Sequence, residues 1–251
     1  MFSICFSLTL FGYFFITHSI QQSPLYILLM IYLIILCKKI DQWDWTKFYY
    51  ITFIVGSLTN FFDFFTVPTI TLVIPVLLYV LYYCLNHSIK QSTLFCKILN
   101  LCILWSLGFA FTWASKWAVC DLVLDTSIIK NALNQILFRS IGAPRQTLNN
   151  LMYLIKHLSL AFSVTIIFVF IYDYIIHKKS KIKKTLSTSH HSYITQNNKM
   201  VILFICLVPI AWSLVTFNHF YNHVIFTYRD LMMLYLFVLL SFFEKEKDGK
   251  I

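Results

Sequence analysis

Two histidines near the carboxyl end of the sequence are spaced so that they could work together. His219 and His223 are four positions apart in the stretch FNHFYNHVIFTYRD. Residues four apart share one face of a helix, so the pair could bind a metal ion or exchange protons near neutral pH. The stretch contains no HExxH pattern and offers no third ligand, so we assign no metal ion and no cofactor. The structural alternative is a pair of hydrogen-bonded histidines in a short turn.

Three arginines in the same half of the chain could hold a phosphate group. Arg229 follows the two histidines, and Arg139 and Arg145 lie on either side of the helix-breaking sequence around Gly142. The planar guanidinium group offers a fork of donors that fits a phosphate. For Arg229, a local interaction with the neighbouring Asp230 is the structural alternative.

A lysine between two tryptophans is a further candidate. In the stretch TWASKWAVCD, Lys116 lies between Trp113 and Trp117. Tryptophans are enriched at membrane–water boundaries, where a lysine can extend its ammonium group to water and pack its stem against the rings. That is the structural interpretation of Lys116. The functional interpretation is a contact with a lipid phosphate.

An aspartate surrounded by phenylalanines is the remaining candidate. In the stretch TNFFDFFTVP, two phenylalanines lie on each side of Asp63. A carboxylate among aromatic rings at a membrane boundary is costly unless it is paired or hydrated. We weigh two roles for Asp63, namely a cap at the start of the next helix, or a base or cation-binding carboxylate that lines a cavity.

The composition predicts that lipid surrounds the elements that position these residues. Hydrophobic residues make up 59% of the chain and charged residues 12%, whereas soluble domains carry about 25% charged residues. The apolar runs are continuous and not alternating, which favours helices over a β-barrel. The net charge of +10 does not indicate a nucleic-acid partner, because the basic residues are spread between apolar runs. The seven cysteines form no CxxC pair and are interpreted as packing residues.

A helical span needs about 20 mostly apolar residues. We therefore predict an all-α, polytopic helical membrane protein in which residues 1–251 form a single integral membrane domain with about eight transmembrane helices. The candidate spans are 1–17, 24–37, 48–62, 69–85, 98–114, 151–176, 200–217 and 229–243.

The lysines predict the orientation of these spans. Loops 38–47, 86–97 and 177–199 and the tail 244–251 hold most of the lysines and fall on one side of the predicted topology. The positive-inside rule makes that side cytoplasmic, including both termini, and we expect the membrane to be the bacterial inner membrane. All the candidate functional residues named above then lie at or near the outer side.

Residues 115–148 are predicted to form an outer interfacial segment with one amphipathic helix. Apolar residues recur there at helical spacing, and polar residues fall largely on the other faces. The apolar positions are Leu124, Ile128, Leu133, Ile136 and Leu137.

Three stretches of the sequence resemble a known group of proteins. LTNFFDFFTVPTITLVIPVLLY, LWSLGFAFTWASKW and WSLVTFNHFYNHVIFTYRDL together look like the C-terminal portion of a group of uncharacterised multi-pass bacterial membrane proteins. That group is similar in layout to GT-C type glycosyltransferases, and the resemblance covers about residues 45–250. Enzymes of the GT-C type take a sugar from a polyprenyl-phosphate carrier at the outer or luminal face. An acidic residue in their first outer loop acts as base or metal ligand, and basic residues hold the carrier phosphate.

The resemblance implies a membrane glycosyltransferase, or a truncated relative, that uses a polyprenyl-phosphate-linked sugar. This sequence departs from the pattern because its first outer loop, THSIQQSP, contains no acid. The alternatives are a non-catalytic scaffold or subunit with a membrane-protein partner, and a transporter or flippase for a lipid-linked sugar. The candidate catalytic residues are Asp63, His219 and His223, and the candidate phosphate-binding residues are Lys116, Arg229, Arg139 and Arg145.

Overall fold

The computed structural model describes residues 23–62, 67–87, 89–124, 127–140, 152, 156, 196–223, 227, 230 and 232–233. Over these residues the protein is all-helical and contains no strand, which confirms the predicted all-α class for this part of the chain. The helices are α1 (Ser23–Lys39), a 3-10 turn (Ile40–Gln42), α2 (Trp45–Phe62), α3 (Ile70–Asn86), α4 (Gln91–Leu124), α5 (Ile128–Ser140), α6 (Gln196–Val215) and α7 (Phe217–Asn222).

Five of the predicted spans coincide with helices α1, α2, α3, α4 and α6. The predicted spans 1–17, 151–176 and 229–243 lie wholly or largely outside the described residues. Within the described part, two stretches are long and apolar enough to cross a membrane, namely Ser23–Gln42 and Gln91–Leu124. Helices α3 and α6 are apolar but shorter. The number of about eight spans therefore stays a prediction.

Helix α4 is longer than the apolar run that predicted it. It has 34 residues, which is about 51 Å at about 1.5 Å per residue, against about 30 Å for the hydrocarbon part of a bilayer. Residues 115–124, which we expected in an interfacial segment, continue this helix. The amphipathic helix expected after them is α5, and residues 141–148 lie outside the described part. Residues 196–199, expected in a loop, are the first turn of α6.

Helix α3 occupies the centre of the bundle. Every residue from Val67 to Val80 is buried except Leu78, which is half-buried. Helices α1, α2, α4 and α6 all contact α3. Since α3 is apolar on all sides, burial on every face is the arrangement that its composition favours.

The outer helices are apolar both towards the bundle and away from it. Helix α4 turns one stripe of apolar residues inwards, including Leu101 and Trp105. A second apolar stripe runs along its outer side at every fourth position. A continuous apolar surface of this length is typical of a face that meets lipid or another protein. The outward residues are Phe95, Leu99, Ile103, Leu107 and Phe111.

Helices α2 and α4 run in the same direction and cross with their backbones in contact. A β-carbon at Gly56 would overlap the backbone carbonyl of Trp105, and one at Gly108 would overlap that of Phe53. Across the same crossing, the Ser57 hydroxyl donates a hydrogen bond of 3.1 Å to the Gly108 carbonyl. Small residues that allow such close approach are characteristic of helix packing in membranes.

The two ends of the bundle differ in chemistry. At one end, the Tyr79 hydroxyl donates to the Trp43 carbonyl at 2.9 Å, and the Lys97 ammonium lies 4.8 Å from the ring centroid of Trp45. Tyr83 packs edge-on against the same tryptophan. We call this the aromatic end. The opposite end, formed by the carboxyl end of α2, the start of α3, the last part of α4 and helices α5 and α7, is called the polar end.

Candidate functional site at the polar end

Lys116 is attached to helix α2 at the polar end. Its ammonium group donates a hydrogen bond of 3.1 Å to the backbone carbonyl of Asn60, and the side chain is half-buried. The rings of Trp113 and Trp117, which flank it in the sequence, pack against each other in an edge-to-face arrangement with centroids 6.4 Å apart. Asn60 lies in the last turn of α2, where backbone carbonyls have no partner within the helix. A cation is favourable at such a helix end.

The side chain of Asn60 carries a buried acceptor that stands without a hydrogen bond among the described residues. Asn60 is 2% exposed, and its Oδ1 atom is one of the few buried side-chain polar atoms of the described residues that have no hydrogen-bond partner. An unsatisfied buried acceptor costs about 1–3 kcal/mol. The bond from Lys116 goes to the backbone carbonyl of the same residue and not to this side-chain oxygen.

A chain of buried hydrogen bonds fixes this part of α2 against α3 and α4. The hydroxyls of Thr59 and Thr71 share a hydrogen bond of 2.7 Å. The Trp105 indole donates to the Thr71 hydroxyl at 3.2 Å. Because Thr59 directly precedes Asn60, these bonds also set the position of the asparagine.

A buried carboxylate at the same end was not singled out from the sequence. Asp230 is 2% exposed, and one of its oxygens accepts a hydrogen bond of 2.6 Å from the hydroxyl of Thr69. The sequence analysis considered Asp230 only as a neighbour of Arg229. No local signal joins Asp230 to Thr69, because 161 positions separate them.

The two histidines lie side by side, His219 in α7 and His223 in the turn directly after it. The ring centroids of His219 and His223 are 4.7 Å apart. The backbone amide of His223 donates to the His219 carbonyl at 3.1 Å, so the helical turn continues through the pair. His219 is 8% exposed and His223 is exposed, so the pair reaches from the packed interior to the surface.

Arg139 and the histidines are brought to one corner of the polar end. The side-chain amide of Asn218, next to His219, donates a hydrogen bond of 2.6 Å to the Phe138 carbonyl, next to Arg139. Arg139 itself is half-buried in the last turn of α5. The contact joins α7 to the carboxyl end of α5, where Arg139 lies.

The start of α5 is fixed by an aspartate from α4. A carboxylate oxygen of Asp121 accepts hydrogen bonds from the backbone amides of Ile128 at 2.6 Å and Ile129 at 3.3 Å. Carboxylates stabilise the first turn of a helix because the amides there have no partner within the helix. Asp121 therefore has a structural role in holding α5 and Arg139 at this end.

Asp63, Arg145 and Arg229 lie outside the described residues, so their assignments stay predictions. In the sequence, Asp63 follows Asn60 by three positions and Arg229 directly precedes Asp230. No group of three or more His, Cys, Asp or Glu side chains in the described part of the chain could hold a metal ion. No protein family, curated protein or solved structure matches the chain.

Proposed function

We propose that this chain is an all-α, polytopic membrane protein that binds the phosphate group of a lipid-linked ligand at its polar end. About eight transmembrane helices and one outer amphipathic helix make up the protein in this proposal. Two kinds of observation support it. The outer faces of α1 and α4 are apolar along their length, and the buried polar side chains from α2, α3, α7 and the segment around Asp230 are concentrated at one end.

The half-buried ammonium group of Lys116 is the observation that carries the phosphate assignment. An ammonium group has three N–H donors, and the bond of 3.1 Å to the Asn60 carbonyl uses one of them. Lys116 can therefore donate to a phosphate oxygen while it stays anchored to α2.

The resemblance to GT-C type enzymes suggests what happens to the ligand. In this proposal a sugar is transferred from a polyprenyl-phosphate carrier, and the departing phosphate develops negative charge that preorganised cations stabilise. Lys116, Arg139, Arg145 and Arg229 are the proposed cations. A sugar hydroxyl is a poor nucleophile, so a base is needed, and Asp63 or the histidine pair would accept its proton.

The proposed location is the bacterial inner membrane, with the polar end outside and both termini in the cytoplasm. The lysine-rich loops 38–47 and 86–97 support this orientation, because they join helices at the aromatic end. The polar end carries fewer basic residues. A carrier phosphate would then be bound at the outer face of the membrane.

A non-catalytic membrane subunit is the second candidate function. It is favoured by the exposed apolar side chains on α5, including Leu133, Leu137 and Phe138, which could pack against a membrane-protein partner. In that case the polar end would hold the helices together and would bind no lipid-linked sugar.

Native mass spectrometry of the gently extracted protein tests the proposal. The protein would be compared with Lys116→Gln, which removes the positive charge and keeps a similar length. We expect a bound species with the mass of a polyprenyl phosphate or its glycosylated form, and at least a tenfold lower occupancy in the variant. Lys130→Gln is the matched control, because Lys130 is an exposed lysine on the neighbouring helix α5.

Three outcomes separate the candidates. Loss of the bound species in Lys116→Gln but not in Lys130→Gln supports the phosphate site. Equal occupancy in both variants overturns the role given to Lys116. Protein without any bound lipid-linked phosphate, together with a co-purifying membrane protein that Leu133→Ser releases, would favour the subunit.

A further inference from the structure

We propose that His219 and His223 form an open, two-histidine binding site for a divalent transition-metal ion such as Zn²⁺ at the polar end. The sequence alone offered only the spacing of the two residues. The structure adds the helical conformation, the distance between the rings and the difference in their exposure. The proposal does not depend on the phosphate site at Lys116.

The distance between the two rings fits a shared ion. A Zn²⁺ ion lies about 2.0–2.1 Å from each ligating nitrogen and hence about 3.2 Å from each ring centroid. Ligand angles of about 90–110° then place the two centroids roughly 4.5–5.2 Å apart. The observed separation of 4.7 Å is within that range, so the two rings are close enough to share an ion.

The backbone around the pair is held by hydrogen bonds. The His223 amide donates to the His219 carbonyl at 3.1 Å, which keeps the two residues one turn apart. The Thr227 hydroxyl donates to the carbonyls of Phe220 at 3.0 Å and His223 at 3.1 Å. Phe220, between the histidines, is buried. Ligands held in this way lose little conformational entropy on binding.

The exposures of the two rings suit an ion that arrives from solution. His219 is 8% exposed and is fixed by its surroundings, whereas His223 is exposed and gives an ion access. Imidazole nitrogens favour Zn²⁺, Ni²⁺ and Cu²⁺ over Mg²⁺ and Ca²⁺, which prefer oxygen ligands. Two protein ligands leave the remaining coordination positions to water or to an anionic oxygen of a ligand. Catalytic zinc sites also keep an open position, in their case beside three protein ligands.

The ion would also change the assignment of acid–base roles. A ring nitrogen that binds a metal ion cannot accept a proton, so a metal-loaded histidine pair could not act as the base considered above. Proton acceptance would then fall to a carboxylate. Binding requires a ring nitrogen that carries no proton, so the ion and a proton compete for the same site.

Titration of the purified full-length protein with Zn²⁺ tests the site. We expect one equivalent to bind, and His223→Gln to weaken binding at least tenfold. His223 is chosen because it is exposed, so its replacement should leave the packing intact. Replacement of the buried His219 would disturb the packing. His87→Gln, at an exposed histidine of the aromatic end, is the matched control. The double variant His190→Gln/His191→Gln controls for the adjacent histidines of the 177–199 segment.

The absorption spectrum of the Co²⁺-loaded protein distinguishes histidine from cysteine ligands. The expected result is a spectrum without a thiolate-to-cobalt charge-transfer band, altered by His223→Gln and unchanged by His87→Gln. Equal Zn²⁺ affinity of His223→Gln and the unmodified protein would overturn the proposal. A strong thiolate band, or loss of binding only in the His190→Gln/His191→Gln variant, would overturn it as well by placing the ion elsewhere.

Discussion

The hydroxyl of Thr69 donates a hydrogen bond of 2.6 Å to a carboxylate oxygen of Asp230, and both residues are almost completely buried. Thr69 precedes the first residue of α3, whereas Asp230 lies near the carboxyl end of the chain. The bond therefore ties the central helix to a segment 161 positions away. It also holds the residue next to Arg229 in a fixed place at the polar end.

Thr69→Val should destabilise the protein. Valine has nearly the shape of threonine but cannot donate a hydrogen bond, so the Asp230 carboxylate loses a donor where water cannot easily replace it. The expected loss in the free energy of unfolding is about 1–3 kcal/mol. Thermal unfolding of the detergent-solubilised protein, followed by circular dichroism, measures it.

Thr216→Val is the control for that experiment. Thr216 is also buried, but its hydroxyl donates within one turn, to the Trp212 carbonyl at 2.9 Å. Because this bond lies within one helical turn and joins no distant part of the chain, its loss should destabilise the protein less than the loss of the Thr69 bond. If both valine variants unfold at the same temperature, the bond between Thr69 and Asp230 does not have the stabilising role given to it here.

Alanine at Gly56 or Gly108 should separate α2 from α4. A methyl group at either position would overlap a backbone carbonyl of the facing helix, which cannot move aside as a flexible side chain can. The expected cost is at least the roughly 1–3 kcal/mol of an overpacked core. Monodispersity in size-exclusion chromatography and the unfolding temperature would both fall.

Ser57→Ala, one residue from Gly56, separates steric overlap from hydrogen bonding. It removes the bond of 3.1 Å to the Gly108 carbonyl but adds no volume. A small destabilisation of about 0.5–1.5 kcal/mol is expected. Should Gly56→Ala prove as mild as Ser57→Ala, the close crossing of the two helices would be refuted.

Asp121→Ala should loosen the first turn of α5 without unfolding the bundle. The carboxylate accepts from the amides of Ile128 and Ile129, and loss of such a cap costs about 0.5–2 kcal/mol. Hydrogen–deuterium exchange should become faster at the start of α5 and stay unchanged in α3. Asp44→Ala, which removes the bond from the Lys47 amide at 2.9 Å at the start of α2, should affect only that helix.

Cysteine labelling on intact cells tests which end of the bundle faces outwards. In a background without the native cysteines, Lys130→Cys places a thiol on α5 at the polar end, and Lys47→Cys places one at the aromatic end. Both lysines are exposed. We expect a membrane-impermeant maleimide to label Lys130→Cys on intact cells and Lys47→Cys only after permeabilisation. The reverse pattern would invert the predicted orientation.

The sequence was sufficient to locate helices where a local property decides them. The apolar runs 48–62 and 69–85 correspond closely to α2 and α3, which run from Trp45 to Phe62 and from Ile70 to Asn86. The run 98–114 fell short of α4, because composition marks the apolar part of a helix and not its ends. The backbone hydrogen bonds of α4 continue past it through Lys116 and Asp121.

Contacts in the candidate site were predictable only where they are local. His219 and His223 are four residues apart and the helical turn continues through both, so their proximity follows from helix geometry. Lys116 and Asn60 are 56 positions apart, and their contact depends on how α4 packs against α2. The sequence left two interpretations of Lys116 open, packing against its neighbouring tryptophans or contact with a lipid phosphate, and neither includes the bond that its ammonium group donates to the end of another helix. The spacing of residues along one sequence does not show which distant group Lys116 contacts.

The central position of α3 has a consequence for how the protein is made. During synthesis α3 is complete before α4 and α6 exist, so the sides of α3 that these two helices cover stay open until they are made. The side of α3 that carries the Thr71 hydroxyl must wait for Trp105 of α4, and the surface under α6 must wait roughly 90–110 residues longer, because α6 runs from Gln196 to Val215. At about 5–20 residues per second, that second delay is roughly 5–20 seconds. Among the described helices that surround α3, α6 is therefore the last to be made, and its contact with α3 is the last to form.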